Sequence, residues 1–145
     1  MNHHDSAGQR YEISDDPARL DPVRIHHWLS TDAYWALGRT REQQDRMTAG
    51  SLNYAAYDTT SGEQVAFARV VTDRASFAWI CDVYVDRAAR GEGLGTRLVT
   101  TVRDELIPLG VRRFLLATKD AHGVYAKLGF TPLPEPDMWM ILHAG

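Results

Sequence analysis

Arg90-Gly91-Glu92-Gly93-Leu94-Gly95-Thr96 stands between an apolar run, Phe77 to Val85, and an amphipathic run, Leu94 to Leu106. That order reads as strand, glycine-rich turn, helix. Glycines at three alternate positions let the main chain approach a ligand closely, because no side chain stands in its path. The helix behind them aims its unpaired N–H groups and the positive end of its dipole into the turn. A place of that kind binds an anion, most often a phosphate.

Three glycine-rich patterns compete for this stretch. A P-loop requires Gly-x4-Gly-Lys-Ser/Thr, and no Lys follows these glycines, which sets ATP and GTP aside. A dinucleotide fingerprint requires G-x-G-x-x-G/A close behind its strand. Here Thr96 stands where the last small residue should be, and Asp86 to Arg90 separate the strand from the glycines. The third pattern is Arg/Gln-x-x-Gly-x-Gly/Ala, which Arg90-x-x-Gly93-x-Gly95 matches. In this respect the chain resembles the GCN5-related N-acetyltransferases. A second stretch, Ala121-His122-Gly123-Val124-Tyr125-Ala126-Lys127-Leu128-Gly129-Phe130, looks like that superfamily's Tyr-x-x-x-Gly-Phe signature. Either motif alone is weak. Together, in this order and with one strand between them, they are specific. The clear match runs from Phe77 to Phe130. The plainer alternative is a set of glycines that merely turns a strand into a helix.

Composition is consistent with this reading and narrows the rivals. The chain has 145 residues, 44% of them hydrophobic and 24% charged, as in one globular domain with a real core. A net charge of −3 leaves no basic footprint, so nucleic acid is not the expected partner. The single cysteine, Cys81, excludes an internal disulfide framework and suits a reducing compartment. No apolar run approaches a membrane span, and the polar start of the chain has no signal core. The expectation is a cytoplasmic protein with no membrane partner.

Residues 1–9 read as a flexible tail before a single domain over 10–145. A short strand is expected from Arg10 to Ser14. Asp21-Pro22 is a helix start, with Asp as the cap and Pro at the first helical position. Thr40-Arg41-Glu42-Gln43 has the capping-box pattern ahead of a second helix that stops at Gly50. Strands follow at Leu52–Tyr57 and Gln64–Val71, joined by a turn at Asp58–Gly62. Phe77–Val85 reads as one long strand. Leu94, Leu98, Val102 and Leu106, with Val99 beside them, form the apolar stripe of the long helix, which Pro108 and Gly110 end. Phe114–Thr118 reads as a buried strand, Asp120 as the cap of a short helix closed by Gly129, and Met138–Leu142 as a final strand. The order β-α-α-β-β-β-α-β-α-β is an α+β (mixed α/β) pattern. The resemblance implies a twisted mixed sheet flanked by helices.

The resemblance also implies a chemistry. It makes the chain an N-acetyltransferase that carries the acetyl group of acetyl-CoA to a primary amine by direct attack in a ternary complex. The main chain of Arg90, Gly91, Glu92, Gly93, Leu94, Gly95 and Thr96 would hold the pyrophosphate, and that of Val83, Tyr84 and Val85 the pantetheine arm. The Val83 N–H would stabilise the developing oxyanion. Tyr125 would protonate the departing thiolate, a role suited to a phenol with a reference pKa of about 10. Asp82 is the candidate base, on the face of Tyr84 if no bulge intervenes. A structural pairing with an arginine such as Arg69 is its equal alternative. Trp28, Tyr34, Trp35 and Trp79 are candidates for lining the acceptor pocket or for the core. His3-His4 and His26-His27 are adjacent pairs that do not share a helix face, so no metal site is expected. Cys81 has no evident catalytic partner. The acceptor, a small molecule or a peptide, stays open, as does a homodimer, a frequent state in the superfamily. The rival from another class is a non-catalytic CoA-binding sensor or interaction module on the same fold.

Overall fold

The computed structural model describes residues 10–145, and the tail expected over residues 1–9 lies outside them. The chain runs β1 (Tyr11–Ser14), α1 (Pro22–Asp32), α2 (Arg41–Ala49), β2 (Leu52–Asp58) and β3 (Gln64–Thr72). It continues through β4 (Phe77–Ile80), β5 (Tyr84–Val85), α3 (Leu94–Leu106), β6 (Arg113–Leu115) and α4 (His122–Ala126). The sheet order is β1-β2-β3-β4-β6, with β5 also paired to β3. All pairings are antiparallel except β4 with β6, where Phe77 faces Arg113 and Trp79 faces Leu115.

Strand β3 is buried on both faces because helices cover both. Ala66, Ala68 and Val70 pack with Ala78 and Ile80 against Leu94, Leu98, Val99, Val102 and Leu106 of α3. Phe67 and Tyr84 face the other way, against Ile25, Trp28 and Leu29 of α1. Alternation along the strand thus feeds two cores. Each large side chain buried there contributes about 2 kcal/mol.

The helices begin where their caps are. Asp21 accepts the Arg24 N–H at 3.0 Å ahead of Pro22. Thr40 Oγ1 accepts the Gln43 N–H at 3.1 Å, and α2 ends at Gly50. In the β2–β3 turn, Asp58 accepts the N–H groups of Thr60 and Ser61. Helix α4 closes in a Schellman arrangement. Gly129, at φ 101°, donates to Ala126 O, and Phe130 donates to Tyr125 O.

Four expectations need correction. The strand expected from Phe77 to Val85 is broken. Val70 faces Ile80 but Phe67 faces Tyr84, so three steps on β3 span four on the opposite chain. The extra residue makes a β-bulge at Asp82-Val83. The buried strand Phe114–Thr118 is shorter, Arg113–Leu115, and only half-buried, because it lies at the sheet's edge. Asp120 does not cap α4: the cap position is Ala121, whose N–H is taken by Thr118 Oγ1. No strand forms over Met138–Leu142. A short 3-10 turn, Pro136–Met138, occupies its start, and the apolar side chains beyond it stand in solvent.

Candidate active site

Gly91 and Gly93 adopt φ 87° and 77°, left-handed values that glycine alone takes without strain. A methyl at either position would meet nothing within 4 Å, so the open side of the loop is free space. Gly93 caps α3 without any side-chain hydrogen bond, which leaves the first N–H groups of that helix to an outside acceptor. A cavity of about 230 Å³ sits there, walled by Val85, Arg90, Gly91, Gly93, Gly95, Thr96, Val124 and Tyr125. The loop's own charged side chains point elsewhere. Tyr11 Oη donates to Glu92 Oε2 at 2.7 Å, holding that carboxylate against β1. Arg90 is folded back onto Val85 O at 2.9 Å and Asp32 Oδ2 at 3.3 Å. Leu94 is buried in the core below.

The bulge opens the sheet beside this loop. β4 pairs with β6 as far as Trp79 and Leu115, whereas β5, among the described residues, pairs only with β3. Val83 to Val85 therefore separate from Leu116 to Thr118, and a wedge forms between them. Val124 and Tyr125 of α4 wall the same cavity as Val85 and the loop glycines. Tyr125 is half-buried, edge-on to Phe130 at 5.9 Å. Burial first, and then the neighbouring Tyr34, push its phenol above the ordinary value.

Asp82 is 1% exposed, with both carboxylate oxygens in use. Oδ2 accepts from Arg69 Nε at 2.8 Å and Arg39 Nη1 at 2.9 Å, and Oδ1 from Trp35 Nε1 at 2.8 Å. Burial would raise its pKa, but Arg69, Trp35 and Arg39 outweigh burial and hold the carboxyl below the usual range. A bulge does intervene, so the expected alternation that put Asp82 on the face of Tyr84 is interrupted, and its pairing with Arg69 is the arrangement found.

The loop thus offers oriented N–H groups, open space and no competing carboxylate, which suits a pyrophosphate. The wedge beside it suits an extended arm running along the outer edge of Val83–Val85, where Arg90 Nε now donates to Val85 O. Residues 21–130 match the model of the Acetyltransferase (GNAT) family. The chain belongs to the GNAT acetyltransferase family. This acetyltransferase is 28% identical over 137 residues to the thialysine N-epsilon-acetyltransferase of Mus musculus, covering 89% of this chain and 71% of that one. A GNAT-family protein of Xanthomonas campestris has a crystal structure that superposes with a TM-score of 0.86. It shares 40% identity and covers 92% of this chain and 93% of its own. The N-acetylglutamate synthase of Neisseria gonorrhoeae, solved with coenzyme A and N-acetyl-glutamate, shares the fold at TM-score 0.67 and 19% identity. That match covers 88% of this chain and 31% of the synthase.

Several residues of the acetyltransferase's site carried no motif. Tyr34 Oη accepts the Lys119 N–H at 3.1 Å, so the loop after α1 touches the loop before α4 across the wedge. Trp35 meets Tyr34 edge-on at 5.1 Å and ties it to Asp82. Arg39 joins Asp82 to Gln44 of α2. Asp32 accepts from Tyr84 Oη at 2.6 Å and also binds Arg87 and Arg90. Apart from the contact between the neighbours Tyr34 and Trp35, these contacts join separate elements, so no local spacing announced them. Of the aromatic candidates, Trp28 is core, stacked on Tyr84 at 5.4 Å, while Tyr34, Trp35 and Trp79 are exposed. Cys81 is a half-buried free thiol one residue before the bulge.

Proposed function

We propose that this acetyltransferase transfers the acetyl group of acetyl-CoA to a primary alkyl amine by direct attack, with both substrates bound at once. The observation that carries the reading is that Tyr125 walls the same cavity as Gly91, Gly93 and Gly95. A phenol beside the loop supports the reading of Tyr125 as a proton donor to an arm anchored there. Acetyl-CoA supplies the thioester. The main chain of Arg90 to Thr96 would hold its pyrophosphate, and Val83 to Val85 would pair with its arm. A bulge leaves its extra residue outside the ladder, which frees the Val83 N–H for the carbonyl oxygen. The amine nitrogen forms a bond to the carbonyl carbon, the C–S bond breaks, and Tyr125 gives its proton to the departing sulfur. The proton lost by the amine leaves through water.

Asp82 enters this reading as a positioning residue. Its oxygens are occupied, and its low pKa makes it a poor acceptor of a proton. It holds Trp35, and through Trp35 the Tyr34 ring, at the mouth of the wedge. An aromatic mouth suits an organic cation, and the Mus musculus relative is named for an ε-amine acceptor.

The test has two steps. Acetyl-CoA at a hundred times its dissociation constant should stabilise the protein by about 2.7 kcal/mol, seen as a rise in melting temperature that ATP does not produce. Thialysine, lysine and short diamines are then assayed for CoA release. A protein that binds acetyl-CoA and acetylates no amine would be a binding module, and a protein that ignores acetyl-CoA would end the reading.

A further inference from the structure

Glu92 is the one residue from Ala89 to Thr96 that does not wall the loop's cavity. Electrostatics favours the opposite. Glu92 precedes Gly93, the cap of α3, and that cap gives no side-chain hydrogen bond to the first N–H groups of the helix. Negative side chains are drawn to such a terminus by its exposed N–H groups and by the dipole behind them. Left to itself, the Glu92 carboxylate is an internal anion that competes with a pyrophosphate for the same donors.

Two neighbours at the start of the described chain hold it elsewhere. Tyr11 Oη donates to Glu92 Oε2 at 2.7 Å, and Arg10 Nη1 stands 3.5 Å from Oε1. Tyr11 has the firmer position. It is 2% exposed, in the core that includes Leu94 and Leu98 of α3, so its hydroxyl has a fixed place beside the loop. The Arg10 side chain stands half in solvent, and an exposed ion pair holds its partner weakly. The ring of Tyr11 fills the core, while its hydroxyl reaches out of the core to the loop.

We infer that Tyr11 is a positioning residue for the cofactor: its hydroxyl withdraws Glu92 from the glycine loop and so keeps the first N–H groups of α3 free for the pyrophosphate of acetyl-CoA. The inference rests on the proposed reading of that loop. Without the hydroxyl, the carboxylate turns onto those N–H groups and fills the loop from within. The apparent affinity for acetyl-CoA then falls in proportion to the fraction of loops left open.

Calorimetric titration with acetyl-CoA tests this on the intact chain, on Tyr11→Phe, on Glu92→Gln and on the two combined. Tyr11→Phe should raise the dissociation constant about tenfold, as when Glu92 fills the loop about nine-tenths of the time. In the Glu92→Gln background the same substitution should change it less than about twofold, because a neutral amide has little pull toward a helix terminus. Damage to the core would persist in that background, so equal losses in both backgrounds overturn the proposal. An unchanged constant for Tyr11→Phe alone overturns it too. Glu92→Asp covers the case of a Tyr11→Phe chain that does not fold. It leaves the core untouched and keeps the charge, but its shorter side chain falls short of the Tyr11 hydroxyl. It should bind acetyl-CoA at least about threefold more weakly than Glu92→Gln, and equal binding by these two overturns the proposal. An unaltered protein that takes up no acetyl-CoA ends the pyrophosphate reading and this inference with it. Uptake without coupling between Tyr11 and Glu92 removes this inference alone.

Discussion

Tyr125 and Asp82 were paired in the sequence as acid and base, and the structure separates their situations. Tyr125 faces a cavity, and its phenol, pushed up by burial and then by Tyr34, stays protonated throughout the neutral range. Tyr125→Phe should lower kcat about a hundredfold, the ordinary contribution of a general acid, with an unchanged dissociation constant for acetyl-CoA. Steady-state kinetics beside calorimetry checks this, and an unaltered kcat removes Tyr125 from the mechanism. Asp82 belongs to a buried ion cluster. Asp82→Ala strands Arg69 and Arg39 and should cost about 3–5 kcal/mol, read from the urea midpoint. Asp82→Glu keeps the charge but not the geometry. Its effect should fall on KM for the amine, through displacement of Trp35 and Tyr34, rather than on acetyl-CoA affinity.

Among the elements, the glycine-rich loop separates two uses of glycine. Gly93 needs its left-handed φ, so Gly93→Ala should cost about 1 kcal/mol of stability and put a methyl where the ligand approaches. Gly95 sits in the helix, and a Cβ there would lie 3.8 Å from Val85 Cγ2, an ordinary contact. Gly95→Ala should therefore leave the melting temperature within about a degree, because it breaks no special conformation. A thermal melt with and without acetyl-CoA reads both effects. The same distinction explains what the sequence made legible. Helices α1, α2 and α3 were readable because Asp21-Pro22, Thr40 and the stripe from Leu94 to Leu106 are local signals. The bulge was not, since Phe77–Val85 is continuously apolar apart from Asp82, and only its pairing with β3 reveals the extra residue. The loop and Tyr125 were legible as motifs. Tyr34 and Trp35 were named as aromatic candidates, but their bonds to Lys119 and Asp82, and the part of Arg39, were not legible because those partners lie on other elements. The final strand expected over Met138–Leu142 is a similar case: its composition is that of a strand, but a strand forms only where a partner edge accepts it, which composition does not show.

For the whole molecule, acidity is the exposed flank. Asp32, held by Arg87 and Tyr84, sits below the ordinary carboxyl value, as does Asp58 with the N–H groups of Thr60 and Ser61. Asp73, bound by Ser76 in the β3–β4 turn, and Asp82 do the same. A carboxyl whose pKa is lower folded than unfolded contributes stability that is complete above its unfolded value, near 4. That contribution is lost as pH falls through the folded value. Stability to urea should thus be flat from about pH 5 to neutrality and fall steeply below about pH 4. A stability that rises toward pH 3 would contradict the assignment of these four groups. No helix among the described residues is long and apolar enough to cross a membrane.

The half-buried Cys81 gives the protein a reporter that needs no engineering. It is the chain's single cysteine, so any thiol reagent marks one known place. Burial pushes its thiol up, leaving little thiolate at neutral pH, and modification by a maleimide should be slower than that of a free peptide thiol. It stands next to Asp82-Val83, where the acyl end of the cofactor is proposed to lie. Acetyl-CoA should slow the reaction further while ATP leaves it unchanged. A stopwatch and a mass spectrometer would then report occupancy of the wedge before any acceptor is known.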